Sequence, residues 1–447
     1  MKKETAVLDH HVLLNFQKRM EQEPIPRSLE ETVCEKGLLA GIFQPQDRKQ
    51  DWFDFPNQFS DYPVSNQYQT GRCWIHAGFH FIKTWFHKEY GPCDFHFSCN
   101  YLAFYDLLEK ANYFLEIILE TLEEDLHSRL LSFKLAHPIQ DAGQWSFFAD
   151  LIEKYGVLPD YAMPDTNCSK KTGELIGVLS DLLRKDACIL RKKACAGSSL
   201  KDLRRQKENM CYQVYRLLCI SLGKPPKQFE LTMTTTGKPS FEERMSPCKF
   251  RDRFLKLNLK DDYLMITHIP AADKKWYQTY TVRYLGCLWE GSPVIYLNLP
   301  LDVWKSLIQT QLLDHMPVWF GCDSRMEVDT EHGIFSLNNY DFSSIGCEKE
   351  MLHKGEMLDY HLSLVTHAML LKGIAFHEDG TISRWLVENS YGTASGHQGY
   401  LSMSDSWFDR YVYEAVIHKK YVSPELLKQY HQTPVCLDPW DPAGALA

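Results

Sequence analysis

The chain has 447 residues, and its 49 Lys and Arg against 58 Asp and Glu give a formal net charge of −9. With 44% hydrophobic and 13% aromatic residues, the composition is that of a globular protein and excludes a disordered chain. The acidic balance disfavours a general nucleic-acid binder, because attraction to phosphates depends on a surplus of Lys and Arg.

The first half of the sequence is predicted to be mainly helical. Apolar residues at helical spacing indicate helices near residues 12–20, over 101–135 and over 174–222. A densely apolar segment over 70–90 begins as a helix would, and another helix is predicted from Gly143 to Tyr155, ending at Gly156. The stretch 183–207 contains nine Lys or Arg and two Asp, a run that is typical of a solvated helix face.

After Pro225 and Pro226 the sequence changes to short segments rich in β-branched and aromatic residues, which is typical of strands. These segments lie at 263–269, 280–286, 293–299, 316–322, 364–374, 384–392 and 410–422. Helices first and strands last predict an α+β fold.

The 14 cysteines lack the spacing of a metal or redox motif, since no two of them are separated by two residues. They make up about 3% of the chain, below the about 8–10% of a disulfide scaffold. The N-terminal segment is interrupted by Glu4 and Asp9, unlike a signal peptide, and no apolar run is long enough for a membrane span. We therefore expect a cytosolic protein with reduced thiols and no membrane partner.

The segment NQYQTGRCWIHA, residues 66–77, combines features of a cysteine nucleophile. Cys73 lies where a loop becomes a helix, and a helix N-terminus stabilises the thiolate that performs the attack. Unpaired backbone N–H groups there can hold an oxyanion, and Gln67 can supply a second donor. Taken alone, Cys73 is more typical of a small buried apolar residue, as most free cysteines are.

Two later segments contain the partners that such a nucleophile needs. His367 lies inside a predicted strand, where a histidine is commonly a core residue, and Asn389 ends the next predicted strand. A catalytic imidazole requires a third group to fix its tautomer, and Asn can do so without adding charge. The order Gln, Cys, His, Asn is the one used by papain-like enzymes.

The sequence resembles the bleomycin hydrolases, a cytosolic and self-compartmentalising branch of the papain superfamily. The motifs GRCW, THAM, VENS and the ending WDPAGALA carry the resemblance, which runs from about residue 60 to the last residue. It implies a papain-like α+β fold, with a helical half and a β-barrel-like half. The expected units are an N-terminal extension (1–65), the helical half with the nucleophile (66–160), a mostly helical insertion used in assembly (161–285) and the β-rich half with the C-terminal arm (286–447).

The resemblance also implies a cysteine aminopeptidase of bleomycin-hydrolase type that uses no cofactor or metal and works through a thioester acyl-enzyme. Cys73 would be the nucleophile, His367 the general base and then acid, and Asn389 would orient His367. Gln67 and the Cys73 N–H would form the oxyanion hole. The carboxylate of Ala447, on an arm in the cleft, would bind the α-ammonium of a peptide substrate. Family members are homohexamers whose active sites face an inner cavity.

The sequence departs from the family pattern beside these residues. Tyr391 stands where family members usually have a Trp that shields the His–Asn hydrogen bond, and His76 replaces the usual Phe three residues after the nucleophile. Neither change removes a catalytic group. We therefore expect effects on rate or substrate preference, with the class of reaction unchanged.

Two alternative functions remain open from the sequence. Cys73, His76 and His80 recur on one face of a predicted helix and could bind zinc, although three ligands on one helix leave a metal exposed. The basic stretch 183–207 could bind nucleic acid. The net charge of −9 predicts that such binding is weak and steeply dependent on salt.

Overall fold

The structure is a computed structural model that describes residues 7–45, 52–56, 63–92, 95–233, 241–347 and 352–447. The helices are α1 (His10–Gln22), α2 (Arg27–Lys36), α3 (Leu38–Ile42), α4 (Cys73–Tyr90), α5 (Cys99–Glu120), α6 (Arg129–Ala136), α7 (Trp145–Tyr155), α8 (Asn167–Lys170), α9 (Gly173–Cys195), α10 (Leu200–Leu222), α11 (Pro247–Phe250), α12 (Leu301–Leu313), α13 (Lys354–Asp359), α14 (Asp405–Tyr411) and α15 (Pro424–Tyr430). The strands are β1 (Phe229–Met233), β2 (Phe241–Met245), β3 (Tyr263–Thr267), β4 (Thr279–Val282), β5 (Tyr296–Asn298), β6 (Val318–Cys322), β7 (Val328–Asp329), β8 (Ile334–Phe335), β9 (His367–Phe376), β10 (Ile382–Glu388), β11 (Tyr400–Ser404), β12 (Val412–His418) and β13 (Val435–Leu437).

One large mixed sheet organises the C-terminal half. Among the described residues it contains eleven strands, in the order β13-β4-β5-β3-β12-β6-β9-β10-β11-β8-β7. β9 and β10 are antiparallel neighbours, with Leu370 opposite Glu388, and β6 pairs with β9 so that Cys322 lies opposite His367. Antiparallel pairing places the first residues of β9 beside the last residues of β10, at the same end of the two strands.

Helix α4 is the central element of the helical half. Most of its residues are buried, which explains why its sequence is apolar on every face rather than along one stripe. Two glycines allow close packing with α7 and the loop before it. A Cβ atom on Gly78 would lie 2.6 Å from the ring of Phe148, and one on Gly143 would lie 2.4 Å from the indole of Trp74.

The structure confirms the α+β class and refines the predicted elements. The helical stretch 174–222 is two helices, α9 and α10, and the side chain of Ser199 caps α10 by accepting from Asp202 N–H at 3.2 Å. Helix α7 ends at Gly156, whose φ of 72° suits a glycine. Strands β3 and β4 lie within the predicted insertion 161–285 yet belong to the large sheet, so the sheet begins before that boundary.

The basic stretch 183–207 contacts the ends of neighbouring helices in its own chain. Arg184 donates to two backbone carbonyls at the end of α6, both at 3.0 Å, and Arg191 donates to two carbonyls just after α5 at 2.7 and 2.6 Å. Lys207 pairs with Glu116 at 2.5 Å. The two arginines satisfy carbonyl groups at helix C-termini, where positive charge is favourable. No helix in the described ranges has the length and apolarity needed to cross a lipid bilayer.

Candidate active site

Cys73 is the first residue of α4, and a half-buried carboxylate, that of Asp141, fixes the loop that leads to it. Gly71 N–H donates to Asp141 Oδ2 at 2.8 Å, and a Cβ atom on Gly71 would lie 2.6 Å from Asp141 Oδ1. The indole N–H of Trp74 donates to the backbone carbonyl of Asp141 at 2.8 Å. Asp141 therefore holds the chain on both sides of Cys73, and only a glycine at position 71 permits this close approach.

His367 opens β9 and Asn389 directly follows β10, so the antiparallel pairing of these strands brings the two side chains together. His367 Nε2 lies 2.8 Å from Asn389 Oδ1. The same oxygen accepts from Ser390 N–H at 2.8 Å, which identifies it as the acceptor and Nε2 as the protonated nitrogen. The other ring nitrogen, Nδ1, is then a base. Cys73 lies beside this strand, because its Sγ accepts from Ala368 N–H at 3.5 Å.

Tyr391 covers one face of the imidazole. Its ring is stacked on that of His367, with 5.2 Å between the ring centroids and 28° between the planes. Tyr391 is 43% exposed, whereas His367 is 3% exposed. The tyrosine therefore separates the His367 ring from water while its own outer face stays wet.

Gln67 is held against the residue that follows Asn389. Its backbone N–H donates to the Ser390 carbonyl at 2.7 Å, and its Oε1 accepts from the Ser390 hydroxyl at 2.5 Å. Gln67 Nε2 donates to the carbonyl of Thr70 at 2.6 Å. A carboxamide nitrogen has two hydrogens, so a second donor is available beyond the one that Thr70 uses.

Burial is the largest influence on the pKa values of Cys73 and His367. It raises the pKa of the Cys73 thiol to about 12, against the opposing effect of the Ala368 and Trp74 N–H groups. It also lowers the pKa of His367 to about 4, against the hydrogen bond to Asn389. Because neighbouring groups titrate as a pair, the pair shares a single proton over a wide pH range. That proton can be transferred from sulfur to nitrogen when attack occurs.

The C-terminal arm, residues 440–447, is docked against the loop just before α7. The carbonyl oxygen of Ala447, which is 2% exposed, accepts from Gly143 N–H at 2.9 Å. Earlier in the arm, Asp441 pairs with Lys274 at 3.0 Å, and the guanidinium of Arg129 lies 4.1 Å from the ring centroid of Trp440. Since Gly143 also packs on Trp74, the arm ends close to Cys73.

The two histidines of the zinc alternative make contacts inside the protein. His76 Nδ1 lies 2.7 Å from the hydroxyl of Ser65, and His80 Nδ1 contacts Glu388. Cys73 Sγ faces Ala368 instead. In the part of the chain that the structure describes, no group of three or more His, Cys, Asp and Glu side chains is arranged to hold a metal ion.

Comparison with known proteins decides the family. A model described as the Peptidase C1-like family matches residues 7–444. The chain belongs to the Peptidase C1-like family. Aminopeptidase C of Listeria monocytogenes is 39% identical over 436 residues, covering 97% of this chain and 98% of the relative. The bleomycin hydrolase of Homo sapiens is 33% identical over 394 residues, covering 86% of each chain.

A solved structure in the same group has the same fold throughout. The crystal structure of PepW from Lactobacillus rhamnosis HN001 superposes with a TM-score of 0.95 at 38% identity, covering 99% of this chain and 100% of that one. The resemblance and the papain-like α+β fold predicted from the sequence are therefore confirmed. So is the enzyme class, a cysteine aminopeptidase of the Peptidase C1-like family.

Sequence reasoning did not single out Asp141, which holds the loop before Cys73, or Ser390, which holds Gln67 in this Peptidase C1-like chain. Asp141 contacts a residue 70 positions away, and Ser390 contacts one 323 positions away. Local patterns carry no information on such contacts. The one available signal was position, because Asp141 lies just before a predicted helix and Ser390 directly follows Asn389.

Proposed function

We propose that Cys73 and His367 cleave peptides through a thioester acyl-enzyme. The hydrogen bond from His367 to Asn389, next to a cysteine at the start of a helix, carries this proposal, because it leaves Nδ1 as a base beside the thiol. Nδ1 takes the thiol proton as Sγ bonds to the peptide carbonyl carbon. The Cys73 N–H and Gln67 Nε2 donate to the oxyanion.

The second half of the reaction reuses the same groups. The oxyanion collapses, the C–N bond breaks, and His367 gives its proton to the departing amine. A water molecule then gives a proton to His367 Nδ1 and attacks the thioester carbon. Sγ leaves and takes the proton back from His367. The free enzyme is thereby regenerated and a carboxylic acid is released. Asn389 keeps the ring in one orientation throughout.

We propose further that the arm restricts cleavage to the first peptide bond. With Ala447 docked beside Trp74, a terminal carboxylate there would attract the α-ammonium of a substrate and leave room for one residue before the scissile bond. Relatives named aminopeptidase C support this reading. Partly desolvated ion pairs of this kind discriminate strongly against substrates that lack the charge.

A panel of aminoacyl amides with free and acetylated N-termini tests both proposals. We expect wild type to prefer the free amines by about 100-fold and Cys73→Ala to lose about 10⁴-fold or more in kcat. Cys287→Ala is the matched control, because Cys287 is an equally buried cysteine that contacts Asp106. Full activity of Cys73→Ala would contradict the role of the nucleophile, and equal rates on acetylated substrates would contradict exopeptidase action.

We also propose a cytoplasmic homohexamer that acts on peptides, with no membrane partner and at most weak binding of nucleic acid. Supporting the assembly, α1 exposes a row of large apolar side chains, and such patches mark contact surfaces; they include Leu13, Phe16 and Met20. Light scattering after gel filtration is the test. A mass near six times the 52.1 kDa of the chain is expected, and a monomer mass at micromolar concentration would contradict it.

A further inference from the structure

A single buried side chain connects the arm to the body of the enzyme. Gln144 is the residue before α7, it is fully buried, and its Nε2 donates to the carbonyl of Ala445 at 3.1 Å. Its neighbour Gly143 donates to Ala447. The side chain of Gln144 does not cap α7, so its amide group is available for the arm.

Behind Gln144 lies a carboxyl group with no cationic partner in the part of the chain that the structure describes. Glu414 on β12 accepts from Gln144 Nε2 at 3.3 Å, and Gly321 makes space for it, because a Cβ atom there would lie 3.1 Å from Glu414 Oε2. Among the described residues, Gln144 Oε1 and Glu414 Oε2 have no hydrogen-bond partner. Burial raises the pKa of Glu414 to about 8, against the hydrogen bond from Gln144, so the group is mostly protonated at neutral pH and has an O–H to donate.

We propose that Gln144, supported by Glu414, is the positioning residue that keeps the arm in the cleft and thereby directs cleavage to peptide N-termini. One amide hydrogen of Gln144 serves Ala445 and the other serves Glu414, so the arm, the start of α7 and the sheet share one side chain. The inference rests on the proposed role of the arm. It adds the residues that hold the arm in place.

Digestion of the arm measures docking without using the peptidase activity. In the Cys73→Ala background, we expect an added carboxypeptidase to release Ala447 about tenfold faster from Gln144→Met than from the parent, because the arm loses a buried hydrogen bond. Glu414→Met should behave in the same way. Glu414→Gln should match the parent, since a neutral amide at position 414 can both accept from Gln144 and donate to it.

Gln311→Met is the matched control for general loosening. Gln311 is also fully buried, and its Nε2 donates to the carbonyl of Pro317 at 2.8 Å and approaches that of Val416 on β12 at 3.4 Å. It should release Ala447 at the parental rate. An unchanged rate in Gln144→Met, or an equal increase in Gln311→Met, would overturn the proposal.

The cleavage pattern supplies the second readout, with Cys73 intact. Mass spectrometry of a digested peptide should show single residues from wild type, Glu414→Gln and Gln311→Met, and at least tenfold more internal fragments from Gln144→Met. Wild type that releases no N-terminal residues would contradict the proposed function. Wild type that releases them while Gln144→Met keeps the same pattern would contradict this inference alone.

Discussion

Burial and the helix N-terminus act on the pKa of the Cys73 thiol in opposite directions. Their magnitudes decide whether the resting group is a thiol or a thiolate. A rise in the thiol pKa from 9.0 to about 12 corresponds to about 4 kcal/mol against an isolated thiolate. The helix N-terminus contributes about 0.3–1 kcal/mol in its favour. Burial therefore dominates, and a thiolate at this position depends on a proton held nearby by His367. This dependence explains why the hydrogen bond to Asn389, which fixes the ring, matters for reactivity.

The shared proton gives a testable pH dependence. Burial lowers the pKa of His367 to about 4. The imidazole therefore stays unprotonated at Nδ1 and able to act as a base as the pH falls through 6.5, and it becomes protonated only near pH 4. We expect the rate of Cys73 alkylation by iodoacetamide to stay level from pH 8 to 5 and then to fall. Hydrolysis should follow a bell-shaped profile, because above the second pKa of the pair no proton remains for the leaving amine.

Free glutathione is the reference for that measurement. Its thiol has no imidazole partner, so its alkylation slows about tenfold per pH unit below about 8.5. The same slope for Cys73 would contradict a paired proton. Cys287→Ala serves again as the matched control, since it removes a buried thiol while leaving Cys73 in place.

At the residue scale, motifs led to the groups that we propose to react, and they missed the residues that support those groups. Cys73, His367 and Asn389 were predicted because their chemistry requires particular residue types in a particular order. Gln144 and Glu414 are 270 positions apart, and a glutamine before a helix or a glutamate in a strand has many ordinary uses. Only the folded arrangement shows that Gln144 contacts both the arm and Glu414.

At the scale of elements, one carboxylate connects α4, β9 and β10. Glu388 is the last residue of β10 and directly precedes Asn389. Lys372 on β9 pairs with it at 2.9 Å, and both side chains are almost fully buried. His80 on α4 contacts the other carboxylate oxygen. The helix that carries Cys73 and the strands that carry His367 and Asn389 therefore meet at one carboxylate, through the ion pair with Lys372 and a contact with His80. Burial lowers the pKa of His80 well below its usual range, so the histidine is neutral in this contact.

Removal of the lysine should destabilise the fold strongly. Lys372→Met leaves Glu388 charged in a buried site, and we expect the free energy of unfolding to fall by about 3–5 kcal/mol. Lys420→Met is the matched control. Lys420 pairs with Asp314 at 2.7 Å with both side chains about half exposed, so its loss should cost less than about 1 kcal/mol. Urea unfolding at one protein concentration compares them; equal losses would contradict a structural role for the buried pair.

Local patterns predicted most elements but could not predict their order in space. Helix α7 was predicted with its correct end because Gly156 stops it. Helix α12 was missed although Trp304, Ile308 and Leu312 recur at four-residue spacing, because strand signals flank it on both sides. Strand β12 lies between β3 and β6, and this order depends on contacts between distant segments that periodicity does not encode.

At the scale of the whole molecule, the chain separates the proposed catalytic residues Cys73 and His367 further than a minimal papain-like enzyme does. Such enzymes place the His about 130–150 residues after the Cys, whereas here positions 73 and 367 are 367 − 73 = 294 apart. Helices α9 and α10 lie within this interval and pack on α5. Cations of α9 bind carbonyl groups at the ends of α5 and α6, and Lys207 of α10 pairs with Glu116 of α5, so the added helices extend the core of the helical half.

The arm places Ala447 beside Gly143 and Trp74, close to Cys73. Removal of Ala447 should change the specificity of cleavage and leave the reactivity of Cys73 unchanged. Deleting Ala447 withdraws the contact with Gly143 and moves the terminal carboxylate back by one residue. We expect kcat/KM for free aminoacyl amides to fall about 30-fold or more, internal cleavage of acetylated peptides to rise, and iodoacetamide to alkylate Cys73 at the wild-type rate.

The same assays on a variant with one additional Ala after Ala447 separate loss of the charge from loss of its position. The added residue extends into the position of the substrate's first residue and should block it. An unchanged cleavage pattern in both variants would show that the arm has no part in specificity.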